Sequence, residues 1–393
     1  MLEKKPIRVL FLLPSLNGGG AERVAVNVLN HANREQFEVR MGLLRRAGPY
    51  LKEISNDRVD SSHFGQSVLN FDSDNRESYK LSKVIPAALL APLNTWWMIK
   101  KNKPDVVVSF LKGMSICTRF ALLFYGRSKT RWIAREGNNA LAVIDDELGS
   151  SLARRFIKFL LKNTYRSTDI LLTISKEMGI GLARDFRLSP SKVASIHNAI
   201  NVERIKQKAL EPCSLDLPNQ YFVAVGRLDR QKGFDVLIKA FARIAKTIDS
   251  DLVIIGEGSE ELSLRALAEE LGVGSRVHMT GFLDNPWSCM AKAQAFVLSS
   301  RWEGFGNVVA EALACALPCI VTDCDFGPKE IIEHDVHGLV VATDNEEALA
   351  KAMLRLQSEP ELKHRLKEAG EKRANDFSVD AITKQYEALF LSA

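Results

Sequence analysis

At 393 residues the chain is too long for one hydrophobic core of ordinary size, so two domains are expected. With 46% apolar and 26% charged residues it has a globular composition that argues against long disorder, and no apolar run reaches the ~20 residues of a membrane-spanning helix. The net charge of +5 is unevenly held: residues 1–200 carry 31 Lys and Arg against 18 Asp and Glu, the remainder 22 against 30. A basic first half is expected to meet something anionic. No arginine-rich tract or RNA-binding signature is present, which turns that expectation from nucleic acid toward a phosphate-bearing lipid or an anionic membrane surface.

In chain order, Met1–Pro6 is short and charged and runs straight into a strand, so no secretory signal is expected. Strand-like runs fall at Ile7–Leu13, Glu38–Leu44, Val106–Phe110, Arg131–Ala134, Ile170–Ile174 and Val193–Ile196, with helix-period stretches such as Ala21–Ala32 and Ser151–Tyr165 between them. Asn201–Gln220, holding Pro212 and Pro218 and little periodicity, reads as a linker. The alternation then restarts: strand Tyr221–Val225, a helix from Phe234, strand Leu252–Ile255, a helix from Glu260, strands Val277–Thr280 and Ala295–Leu298, a helix from Gly306, and strand Cys319–Thr322. The pattern predicts an α/β protein with two Rossmann-like parallel-sheet domains, 1–200 and 201–378. The tail, 379–393, reads as one more helix that could cross back to the first domain.

Six cysteines, Cys117, Cys213, Cys289, Cys315, Cys319 and Cys324, form no Cys-x-x-Cys pair, and most sit in apolar surroundings. They are expected to be buried free thiols in a reducing cytoplasm; a zinc site from the last three with His334 and His337 lacks the usual spacing.

Four clusters carry chemistry. Asn17-Gly18-Gly19-Gly20-Ala21-Glu22 stands where the first strand turns into a helix, so the Gly19 and Gly20 backbone could approach a phosphate. It is no dinucleotide fingerprint, because Arg23 fills the third glycine position and no acid follows the second strand. Gly226-Arg227-Leu228-Asp229-Arg230-Gln231-Lys232-Gly233 follows the first strand of the second half; Arg227 as a fork and Lys232 as a point charge could neutralise a diphosphate. Glu303-Gly304-Phe305-Gly306-Asn307-Val308-Val309-Ala310-Glu311 sets two carboxylates eight positions apart around a strand end, a glycine turn and a helix start. Backbone N–H groups at Phe305, Gly306, Asn307 and Val308 would form an anion-attracting end there. Phe326-Gly327-Pro328-Lys329-Glu330 is a further loop and helix start.

The second half resembles the donor domain of the glycosyltransferase family 4 enzymes, which have the GT-B fold. The match runs in order through Gly226-Arg227-Leu228, Lys232-Gly233, Gly256-Glu257-Gly258, Gly281-Phe282, Ser299–Glu311 and Gly327–Glu330. The first half is similar more loosely, at Gly18–Glu22, Pro104-Asp105-Val106, Thr173–Lys176 and Ile196-His197-Asn198. The resemblance implies two domains facing across a cleft that holds a nucleotide sugar as co-substrate, with no other cofactor and no metal; no Asp-x-Asp motif is present. It implies that Arg227 and Lys232 bind the donor diphosphate with Gly19 and Gly20 facing it, that Glu311 holds the ribose, and that Glu303 contacts the transferred sugar. It also implies retention of anomeric configuration by front-face attack, with the diphosphate aiding deprotonation. Many relatives carry a histidine where Ser109-Phe110 stands, so no catalytic histidine carries over.

Ser109-Phe110 and Arg135-Glu136-Gly137-Asn138-Asn139 are similar to stretches of bacterial transferases that add N-acetylhexosamines to polyprenyl-diphosphate-linked glycans. That places Ser109, Arg135 and Glu136 on the acceptor side and implies a UDP donor, a lipid-linked or cell-surface glycan precursor as acceptor, and work at the cytoplasmic face of the inner membrane. Ser151–Arg166 is basic and amphipathic, and Leu81–Lys103 carries Trp96-Trp97 beside Lys100, Lys101 and Lys103; both suit an anionic bilayer surface, or packing on the sheet with their cations wet. A UDP-N-acetylglucosamine 2-epimerase would share the fold without the Arg227/Lys232 and Glu303/Glu311 combination. A non-catalytic nucleotide-sugar-binding protein is opposed by the intact motifs.

Overall fold

The computed structural model describes residues 5–61, 81–126, 130–137, 151–213 and 215–392, apart from the side chains of 81–89 and 153. Met1–Lys4 and the Asn138-Asn139 pair therefore lie outside the described residues. The chain divides into two compact units, Met1–Ala199 with Val379–Ala393, and Ile200–Ser378.

The first unit is a seven-stranded parallel sheet formed by β1 (Ile7–Leu13), β2 (Phe37–Leu43), β3 (Val59–Ser61), β4 (Val106–Phe110), β5 (Arg131–Glu136), β6 (Ile170–Thr173) and β7 (Val193–Ser195), in the order β3-β2-β1-β4-β5-β6-β7. Its central strands are near-continuous apolar runs because helices cover both faces: β4 is buried at all five positions. The tail helix Val379–Leu391 belongs to this core, where the Phe390 ring meets Phe37 at 5.7 Å and Phe11 at 6.2 Å.

The second unit has β8 (Tyr221–Val225), β9 (Asp251–Ile255), β10 (Val277–Met279), β11 (Ala295–Leu298), β12 (Cys319–Thr322) and β13 (Gly338–Val341), all parallel, in the order β10-β9-β8-β11-β12-β13. In both units the winding reverses between neighbouring strands, β1/β4 in the first and β8/β11 in the second. Connections leave such a pair in opposite directions, opening a crevice at the carboxyl ends of the strands.

Two expectations are corrected. The stretch read as a linker contains a helix, Val202–Ala209, capped by the Asn201 side chain on the Arg204 N–H. Cys213 and Cys289 form a disulfide across 76 residues, leaving Cys117, Cys315, Cys319 and Cys324 as thiols. The two meet because the Trp287–Met290 turn packs on the Val202–Ala209 helix, a contact no spacing rule foretells. Among the described residues no three His, Cys, Asp or Glu side chains gather to hold a metal, and no helix is long and apolar enough to cross a membrane.

Candidate active site

The β8/β11 switch point of the second unit carries both charged clusters. β8 ends at Val225 and passes into Gly226–Gly233; β11 ends at Leu298 and passes into Ser299–Gly306. Between these loops Lys232 Nζ donates to Glu303 Oε1 at 2.6 Å, with 16% and 7% of the two side chains exposed. Ser300 Oγ donates to the same carboxylate oxygen at 2.7 Å, and Ser299 Oγ binds the Lys232 carbonyl at 2.8 Å. The Asp229 side chain caps the Lys232 N–H, so the lysine loop is held at both ends. The attraction within a largely desolvated ammonium–carboxylate pair is stronger than in water, and an ammonium has three donors. Lys232 can thus hold Glu303 and still present an N–H to an incoming phosphate.

Arg227 differs: its side chain is 60% exposed and Nε stands 3.6 Å from Asp229. It stands in the same loop after β8, five positions before Lys232. The chain then turns at Gly306, in left-handed conformation (φ 84°), into the Asn307–Ala314 helix, whose first turn has no side-chain cap. Its N–H groups point toward the switch point, an anion-favouring end next to Lys232. Phe305 contributes backbone only, since its buried ring stacks edge-on against Phe377 at 5.4 Å. Gly327 makes the close approach of the next loop possible: a Cβ there would lie 2.5 Å from the Phe305 Cα.

Glu311, in the second turn of that helix, accepts a hydrogen bond from Trp287 Nε1 at 2.9 Å. Burial pushes its carboxyl pKa above the ordinary range, and the indole N–H pulls it back in part. Neither Trp287 nor Ser300 was legible as a site residue; Ser300 adjoins the motif, whereas Trp287 stands 24 positions from its partner with no motif of its own.

In the first unit Gly19 is the N-cap of the Gly20–His31 helix, and no side chain caps it. The Glu22 carboxylate folds back over Gly19, 2.4 Å from where a Cβ would stand. Ser109 and Arg135 are buried near the carboxyl ends of the central strands β4 and β5: Ser109 Oγ accepts from Trp132 Nε1 at 2.9 Å, and Arg135 donates to the Tyr386 hydroxyl at 2.7 Å and Asn198 Oδ1 at 2.6 Å. These bonds tie β4 to β5 and β5 to the tail helix. Glu136 ends β5 beside them and is also buried. Lys112, which follows the end of β4, is buried, and its Nζ has no hydrogen-bond partner among the described residues.

A pair of Rossmann-like units, one with cations and a helix start at its switch point, defines a class of enzyme that handles phosphate-bearing nucleotides. The family profile "Glycosyl transferases group 1" matches residues 207–373, and "Glycosyltransferase Family 4" matches 18–204. The chain is 32% identical over 371 residues, 94% of its length and 95% of the relative's, to N-acetylgalactosamine-N,N'-diacetylbacillosaminyl-diphospho-undecaprenol 4-alpha-N-acetylgalactosaminyltransferase of Campylobacter jejuni. Among solved structures it resembles the lipopolysaccharide outer core galactosyltransferase WaaB in its apo form (TM-score 0.75, 22% identity, 98% and 99% of the two chains). It also resembles Anabaena HepE in complex with UDP (TM-score 0.75, 16% identity, 98% and 100%). The chain belongs to glycosyltransferase family 4 and has the GT-B fold.

Proposed function

We propose that this chain is a retaining glycosyltransferase that moves an N-acetylhexosamine from a UDP donor to a lipid-linked glycan precursor, with its donor site at the β8/β11 switch point. The observation that carries this is the Lys232–Glu303 pair between the two loops, beside the open start of the Asn307–Ala314 helix. The Campylobacter relative's name gives an undecaprenyl-diphosphate acceptor and N-acetylgalactosamine transfer, and the Anabaena structure holds UDP.

In this reading Lys232, Arg227 and the N–H groups of Gly306, Asn307 and Val308 stabilise negative charge on the departing diphosphate, where it grows as the glycosidic bond breaks. Those fixed positive groups do this without a metal ion. Glu303, held by Lys232 and Ser300, meets the transferred sugar, and Glu311 accepts from the ribose hydroxyls. Attack on the face the diphosphate leaves gives retention, with a diphosphate oxygen taking the acceptor's proton. Gly19 and Gly20 offer backbone donors at the uncapped helix start of the first unit. On the acceptor side stand Ser109, Arg135 and Glu136, at the carboxyl ends of β4 and β5.

The first unit docks on the cytoplasmic face of the membrane. Support comes from the Ser151–Ser167 helix, which buries Leu161 and Tyr165 yet leaves Leu152, Phe156 and Phe159 exposed beside Arg155. The Leu81–Asn102 helix supports it less: Lys100 and Lys101 lie over the Trp96 and Trp97 rings, and Lys101 also pairs with Asp60. Purified enzyme supplied with UDP-N-acetylhexosamine and a polyprenyl-diphosphate-linked glycan should transfer the sugar with retained configuration, read by nuclear magnetic resonance of the product. An inverted linkage, or nucleotide-sugar epimerisation without transfer, would refute the reading.

A further inference from the structure

We propose that Trp287 is a positioning residue for donor binding, its indole N–H holding the Glu311 carboxylate in the orientation that meets the ribose hydroxyls. This rests on the donor-site reading of Glu311 given above. A glutamate side chain on a helix has several open rotamers, and ordering it on binding costs free energy that a pre-set partner removes beforehand. An indole Nε1 is a donor only, so it can bind a carboxylate oxygen but cannot compete with that oxygen for the donors of a ligand. With Oε2 tied at 2.9 Å, Glu311 keeps acceptor capacity on both oxygens for a vicinal diol.

The indole is itself fixed. Trp287 opens the Trp287–Met290 turn, and Asn285 before it and Cys289 within it are anchored in the same unit. Asn285 Nδ2 donates to the Lys208 carbonyl at 2.9 Å and to Glu211 at 3.0 Å. The Tyr221 hydroxyl binds the Cys289 carbonyl at 2.5 Å, and Cys289 is bonded to Cys213. The ring is half-buried rather than sealed in the core, and a phenyl ring would fill much the same space. The N–H is what distinguishes tryptophan at this position, and its partner is the donor-site carboxylate.

The test is calorimetric titration of UDP and of 2'-deoxy-UDP into wild type, Trp287→Phe, Trp287→His and Glu311→Gln. Trp287→Phe should weaken UDP about ten- to hundredfold, the loss expected for one hydrogen bond to a charged group, but weaken 2'-deoxy-UDP less than about twofold. Trp287→His, which keeps a ring N–H, should recover part of that affinity. In turnover, Trp287→Phe should raise the donor KM by the same factor and leave kcat within about twofold. Binding stoichiometry counts folded sites, so a partly misfolded variant lowers the stoichiometry and not the affinity. Wild-type UDP affinity in Trp287→Phe, or equal loss of UDP and 2'-deoxy-UDP, would overturn the proposal. If Glu311→Gln itself leaves UDP binding unchanged, the donor-site reading falls and the role of Trp287 with it.

Discussion

Lys232 and Glu303 stand 71 positions apart and share one hydrogen bond of 2.6 Å, so a change at either is felt by the other. Removing Lys232 leaves a buried carboxylate without its cation, a loss of about 3 kcal/mol or more. Lys232→Ala should therefore lower thermal stability as well as cutting kcat/KM by about 100-fold or more, the scale of losing one donor to a charge that develops in the transition state. Arg227→Ala, at an exposed side chain, should cut kcat/KM while leaving Tm unchanged. Near-normal kcat/KM in both variants would remove the diphosphate assignment. Glu303→Gln should depress kcat, whereas Glu311→Gln should mainly raise the donor KM, because a ribose contact exists in ground and transition states alike. Glu311 also sets a pH dependence. Its carboxyl pKa is raised by burial, so the acceptor-only ionised form is lost at a higher pH than for an ordinary carboxylate. Donor KM should accordingly climb as pH falls through that raised value, and Glu311→Gln should abolish the climb; an identical profile in the variant would contradict the role.

At the scale of elements, the buried central strands were legible because each is a short apolar run bounded by turns: β1, β4, β8, β11 and β12 fall where the pattern puts them. β3 was not: at three residues with Asp60 at its centre it offers no apolar run. β13 was passed over as well, although Leu339-Val340-Val341 is an apolar run. The Val202–Ala209 helix was missed because only Val202 and Ile205 are buried on it, too few for a stripe, and nearby prolines outweighed them. The motif loops were legible as motifs, but not the Lys232–Glu303 and Trp287–Glu311 bonds, which depend on how two βα loops meet. Two measurements probe these elements. Gly327→Ala places a Cβ 2.5 Å from the Phe305 backbone at a φ of 87°, so it should lower Tm by several degrees, and an unchanged Tm would show that the loop approaches less closely. Thiol titration of denatured, unreduced protein should find four thiols, and six would contradict the Cys213–Cys289 bond.

For the whole molecule, the proposed membrane contact would draw separable contributions from the excess of cations in residues 1–200 and from the exposed Leu152, Phe156 and Phe159. Cations near an anionic surface act within a Debye length and are weakened by salt, whereas apolar insertion is not. Co-sedimentation with anionic vesicles should exceed that with neutral ones and fall with salt. Charge reversal of Arg154, Arg155 and Lys158 should weaken it, reversal of Lys239 and Lys246 should not, and Phe156→Ala with Phe159→Ala should remove the salt-resistant part. Equal binding to neutral and anionic vesicles would reject the electrostatic half of that account. The class of enzyme was legible because its motifs are short and local, whereas the bonds of Ser109 to Trp132 and of Arg135 to Tyr386 join residues 23 and 251 positions apart, which no local motif announces. The most direct measurement of the central claim is single-turnover transfer from UDP-N-acetylhexosamine to a polyprenyl-diphosphate-linked glycan by wild type and by Arg227→Ala. The account predicts a retained glycosidic linkage and stoichiometric UDP from wild type, and transfer slowed about 100-fold or more in the folded variant. Equal rates in the two proteins, or UDP released with no sugar on the acceptor, would contradict it.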